Sequence, residues 1–185
     1  MNEMSKSRSN LFAGTASHAR TAAAMLAEVA APAMFDGNVM QLRHVHRAMS
    51  ELRRGTPVLL TGLAPLVLLP ADTAGASGLQ DFAEIAAGPP VMLMSPVRAA
   101  SVLSRAVDPG VPAIALKLSD RMLMPEMLRA LADPTVEQML PDAPVQVAVP
   151  AAAAAVLALA KLARLLPAVL VAPVGPDAAM RAERR

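Results

Sequence analysis

Apolar positions recur along this chain with two different periods. Leu42, Val45, Met49 and Leu52 fall at spacings of three, four and three, while Arg43, His44, Arg47, Ser50, Glu51 and Arg54 occupy the remaining positions. That is one face of a helix, predicted over Val39–Arg54. Gly55 follows it in the C-terminal position that favours glycine, behind two arginines suited to the negative end of the helix dipole. Beyond it the period changes: Pro57–Leu60 and Leu66–Leu69 are short, nearly all-apolar runs bounded by Gly and Pro. Their length argues buried strands, joined in hairpin fashion by the five residues Thr61–Pro65.

The remainder alternates. Ser77–Ala87 reads as a helix with Ser77 as N-cap and Gly88 after its end, Val91–Met94 as a strand, and Pro96–Val107 as a helix with proline at an early position. Ala113–Leu118 reads as a strand and Pro125–Ala132 as a helix with Leu128 and Leu131 inward. Asp133–Pro150, with Pro134, Pro141, Pro144 and Pro150, reads as a surface connection. Ala151–Leu166 is an Ala/Leu helix and Ala168–Ala172 a final strand. Such alternation predicts an α/β fold: a single domain over residues 39–174 with a mixed, largely buried sheet flanked by helices. Residues 1–38 form an N-terminal extension, read as partly disordered, with a short Ala-rich helix at 18–31 and turn chemistry at Phe35–Asn38. Residues 175–185 form a charged tail.

Composition narrows the function classes. An apolar share of 55% can bury a core, and thirteen methionines make that core adaptable. The net charge is only +2, the basic residues are interspersed with acidic ones, and Phe12, Phe35 and Phe82 are the only aromatics. A nucleic-acid surface wants a basic stripe, with stacking aromatics for single strands, so no nucleic-acid partner is expected. The absence of cysteine removes disulfides, a thiol nucleophile and thiolate zinc sites, and fits a cytoplasmic protein. The most membrane-like window, Pro150–Pro173, carries Lys161 and Arg164 near its middle and then Pro167. It reads as a buried helix running into a strand, and no membrane association is expected.

Candidate chemistry is sparse. His44 and His46 lie two apart on a helix, roughly 200° around its axis, so they cannot share a metal ion. No Gly-x-Ser-x-Gly elbow occurs. The Thr61–Pro65 stretch has one glycine and ends in proline, unlike a phosphate-cradling loop. Among the carboxylates, Asp72, Asp81 and Glu84 follow the second strand. Asp81 and Glu84, three apart on one helix face, form an acidic pair able in principle to hold a cation or divide acid and base roles; a solvated helix surface is the commoner use of such a pair. Asp120, Glu126 and Asp133 stand at helix ends, where capping accounts for the first two. From the residues alone, no catalytic residue and no metal ligand is assigned.

The runs RAMSELRRGTPVLL (Arg47–Leu60) and LVLLPADTAGASGLQDFAEIAAGPPVMLM resemble the start of the 3,4-dihydroxy-2-butanone 4-phosphate synthase domain of riboflavin biosynthesis. In that family a long acidic loop between the two strands holds magnesium and supplies acid and base groups. Here TGLAP stands in its place, so the resemblance carries over no synthase residue. LRALADPTVEQMLPDAP (Leu128–Pro144) and AAAAAVLALAKLARLLPAVLVAPV (Ala151–Val174) are similar to the degenerate synthase-like N-terminal domain of some alphaproteobacterial GTP cyclohydrolase II-like proteins. Their GTP-opening chemistry uses zinc held by three cysteines in another domain. The resemblance implies a catalytically silent structural or regulatory domain without a cofactor of its own, truncated before the zinc domain. Its implied partner is a second copy of itself or a GTP cyclohydrolase II catalytic domain. A riboflavin-pathway enzyme with residual or partner-dependent activity, and an unrelated interaction module using the 151–166 helix, are the alternatives.

Overall fold

The computed structural model describes residues 39–62, 64–136 and 139–175. The readings for residues 1–38 and for most of the tail lie outside them. Contacts divide the chain into a unit ending at His44 and a second unit beginning at Val45, and the sheet and core belong to the second.

Helix α1 occupies 39–53, as its period predicts. Of its apolar face, Leu52 is buried and Met49 half-buried, whereas Leu42 and Val45 are 57% and 38% exposed. Gly55 follows with φ +73°, a conformation in which a Cβ would collide with the Thr73 carbonyl. There follow β1 (Val58–Leu60), β2 (Leu66–Pro70), α2 (Ala76–Ile85), β3 (Val91–Met94), α3 (Pro96–Leu103), β4 (Ile114–Lys117) and a short 3-10 turn at Asp120–Met122. Helix α4 (Pro125–Ala132), β5 (Val145–Val147), α5 (Ala153–Leu162) and β6 (Ala168–Pro173) complete the domain.

The six strands form one sheet in the order β1-β2-β6-β3-β4-β5. Every neighbouring pair is antiparallel, so the α/β fold carries an antiparallel sheet where a mixed one was expected. The β1–β2 hairpin is present, with Leu60 opposite Leu66. The strand period of two sorts the core into two layers. Val67, Leu69, Met92, Met94, Ile114, Leu116 and Leu170 join Phe82 of α2, Ala99 of α3 and Leu128 and Leu131 of α4 on one face. Leu66, Leu68, Leu93, Ala115, Val169 and Val171 join Leu52 and, from α5, Ala153, Val156, Leu157 and Ala160 on the other.

Several boundaries move for identifiable reasons. Gly75, not Ser77, caps α2. Helix α3 ends at Leu103 rather than Val107 because Ser104 turns left-handed, φ 50°. Helix α5 ends at Leu162 rather than Leu166, and Arg164 is likewise left-handed at φ 58°. The proline-rich connection contains strand β5, which a sheet edge accommodates because only one side of it must pair. The apolar window from Pro150 resolves into α5 and β6, and among the described residues no helix is long and apolar enough to cross a membrane.

Candidate functional site

The β1–β2 connection is tied down as a tight reversal. Leu60 pairs with Leu66, and the Val174 amide donates to the Pro65 carbonyl at 3.1 Å. At the same end of the sheet the Ala87 amide donates to the Pro173 carbonyl at 2.8 Å. Thr61, Gly62 and Ala64 are exposed. None of the five residues from Thr61 to Pro65 carries an ionisable group, so the hairpin offers neither a general acid nor a general base.

The sequence-derived candidates stay apart from one another. Asp81 and Glu84 share the exposed side of α2, opposite Gly78 and Phe82, which face the core. Neither makes a side-chain hydrogen bond or ion pair among the described residues. His44 and His46 are exposed on α1. Asp120 opens the 3-10 turn, and Glu126 sits in the first turn of α4, where a negative charge suits the helix dipole. Asp133 is the C-cap of α4.

The polar groups that the fold does organise are three arginines the sequence did not mark, together with Asp133 and Asp72. Arg98 of α3 sends Nε to the Leu131 carbonyl at 2.7 Å, Nη2 to the Ala130 carbonyl at 3.1 Å and Nη1 to Ser101 Oγ at 3.4 Å. It thereby satisfies two carbonyls at the C-terminal end of α4. Burial lowers the guanidinium below its ordinary value, with Asp133 opposing. Asp133 itself is held below the usual carboxylate range, first by the Thr135 hydroxyl, then by the Thr135 amide, with Arg98 contributing. Arg53 and Arg129 act similarly: Arg53 Nε donates to the Ala163 carbonyl at 2.8 Å and Arg129 Nη2 to that of Ala74 at 3.1 Å. Asp72 Oδ2 accepts the Leu166 amide at 3.1 Å, while its Oδ1 is buried without a partner among the described residues. Arg98 stands where two clefts meet, of about 860 Å³ and 220 Å³, between α3 and the chain leaving α4. The carbonyl partners of Arg53, Arg98 and Arg129 and the amide partner of Asp72 lie far away in sequence, which is why no local pattern announced them.

No protein-family model matches the chain, and no curated protein matches it significantly. Solved structures do. The 3,4-dihydroxy-2-butanone 4-phosphate synthase of Candida albicans is similar at 16% identity and a TM-score of 0.50, over 72% of this chain and 80% of that one. A two-domain 3,4-dihydroxy-2-butanone 4-phosphate synthase from A. baumannii is similar at 16% identity and a TM-score of 0.50, over 72% of this chain and 48% of that one. The chain has a 3,4-dihydroxy-2-butanone 4-phosphate synthase-like fold. It spans about half the length of the two-domain synthase.

The synthase-like fold raises the question of magnesium, which the resemblance places in the loop between the first two strands. Magnesium takes hard oxygen ligands, usually including one or two carboxylates. Thr61–Pro65 supplies no carboxylate, and the described residues contain no group of three or more His, Cys, Asp or Glu side chains placed to hold a metal ion. The residues present do not fit the ion, and no chemical step is derived through it.

Proposed function

We propose that this chain is a catalytically silent, structural or regulatory domain of riboflavin biosynthesis, built on the synthase-like fold and serving a GTP cyclohydrolase II-like protein. The observation that carries the reading is the β1–β2 hairpin, whose five connecting residues hold no ionisable group. The exposed setting of Asp81 and Glu84, without a side-chain hydrogen bond or ion pair among the described residues, supports it, because an acid–base pair needs convergence on a substrate. On this reading the domain works in the cytoplasm as a homodimer or bound to a cyclohydrolase catalytic domain.

The test is turnover by the purified chain. With ribulose 5-phosphate and magnesium, or with GTP and zinc, formate release is expected to stay at the level of a protein-free blank. Enzymatic formate release from either substrate, abolished by Asp81→Ala together with Glu84→Ala, would overturn the proposal in favour of a residual riboflavin-pathway enzyme.

A further inference from the structure

We propose that the two clefts meeting at Arg98 form one binding groove for a small organic oxyanion, a carboxylate or a phosphate monoester on a short apolar body. The groove is separate from the hairpin, lying against α3 and the chain that leaves α4.

Arg98 has more donors than partners among the described residues. A guanidinium presents five N–H groups in a rigid planar fork. Among the described residues three have partners: Nε on Leu131, one Nη2 hydrogen on Ala130, and one Nη1 hydrogen on Ser101 at the long distance of 3.4 Å. The two short carbonyl contacts fix the plane, and two N–H groups are left over at a side chain that lines both clefts. A fixed fork with spare donors is the arrangement that carboxylates and phosphates recognise best.

Charge favours the same occupant. Desolvation is the main influence on Arg98 and lowers the pKa of the guanidinium, while the Asp133 carboxylate raises it in partial offset. Asp133 Oδ1 is itself engaged, accepting the Thr135 amide at 2.8 Å and hydroxyl at 2.7 Å. The guanidinium is only partly covered, and an anion entering beside it would pair with a positive charge held in a fixed plane.

The shape of the smaller cleft suits a short apolar body. Val97, Ala132, Pro134, Leu166 and Pro167 give the smaller cleft mostly apolar walls. Its 220 Å³ corresponds to about seven waters at roughly 30 Å³ each, room for a body of a few carbons. Val97, 80% exposed, is the most open of these walls. A simple helix-capping role for Arg98 would account for the two carbonyl contacts, but not for the spare donors beside an apolar notch.

Proton–nitrogen correlation spectra of the full chain, recorded while titrating inorganic phosphate, butyrate and chloride at constant ionic strength, test the groove. The Arg98 side-chain signal and the Val97 and Ser101 amides are expected to shift saturably with phosphate, with butyrate or with both. Saturation by phosphate alone assigns a phosphate ligand, and saturation by butyrate alone a carboxylate one. Ser101→Trp, at an exposed position common to both clefts, is expected to abolish the shifts while leaving the melting temperature unchanged. Arg98→Lys, which keeps the charge and loses the fork, is expected to weaken binding about tenfold. Shifts that are equal with chloride, that never saturate, or that persist in Ser101→Trp would overturn the proposal. Binding and turnover are read separately, so the groove stands or falls independently of the silent-domain reading.

Discussion

The two faces of the sheet are covered by different means. On one, three helices of 8 to 10 residues, α2, α3 and α4, bring Phe82, Leu128 and Leu131 onto large strand residues. On the other, α5 lays Ala153, Val156, Leu157 and Ala160 against the strands, helped by Leu52 of α1. Small side chains let a helix approach closely. Several short helices meet at joints instead, and on the first face those joints hold an arginine that bonds to helix-end carbonyls and two open clefts. A face tiled from short pieces keeps open joints beside its arginine, whereas the Ala-rich helix has its end closed by Arg53 Nε on the Ala163 carbonyl.

The largest expected effect tests the backbone contact that joins the helices. At Gly78 of α2 a Cβ would stand 2.2 Å from the Gly55 carbonyl oxygen, a backbone atom that cannot rotate away. Gly78→Ala is expected to cost roughly 4 kcal/mol or more, or to prevent folding, read by denaturant unfolding. Next come neighbouring leucines on β2. Leu69 and Leu68 are 0% and 1% exposed and point to opposite faces. Leu69→Ala is expected to cost about 4 kcal/mol and Leu68→Ala about 2–3 kcal/mol, because an Ala-rich helix can settle further into the space left behind. Equal losses, or the reverse order, would break the contrast between the faces.

The smallest effect concerns Asp133. Its depressed folded pKa means that its contribution to stability is present above the unfolded pKa and is lost as pH falls through the folded one. Thr135→Ala removes the leading cause, so the carboxyl should titrate closer to its ordinary range and the acid-side fall in stability should become shallower. Carboxyl titration by NMR, with melting temperatures at neutral and acidic pH, checks this.

Much of the fold was legible. The all-apolar runs at β1 and β2, the glycine after α1 and the proline opening α3 each reflect a local constraint that the structure retains. What escaped lay partly in helix-end backbone geometry and partly in distant partners. Ser104 and Arg164 adopt left-handed backbone that neither residue type advertises. Strand β5 is mostly exposed at an edge, so it lacks the apolar run that marks a buried strand. The site was less legible still. The Asp81–Glu84 spacing was visible but places both groups in solvent, whereas Arg98 acquires its role from carbonyls 32 and 33 residues further along the chain.

The position of β6 bears on how the chain comes to fold at all. β6, the last of the described strands, sits in the middle of the sheet, hydrogen-bonded to β2 on one side and β3 on the other. Until Ala168–Pro173 has left the ribosome, β2 and β3 each keep a bare edge of nearly continuous apolar sequence, and the β1–β2 hairpin has no link to the strands that follow it. Such edges invite pairing with other chains. Assembly of the sheet therefore waits for β6, and the nascent chain depends on that strand arriving before another molecule's edge does.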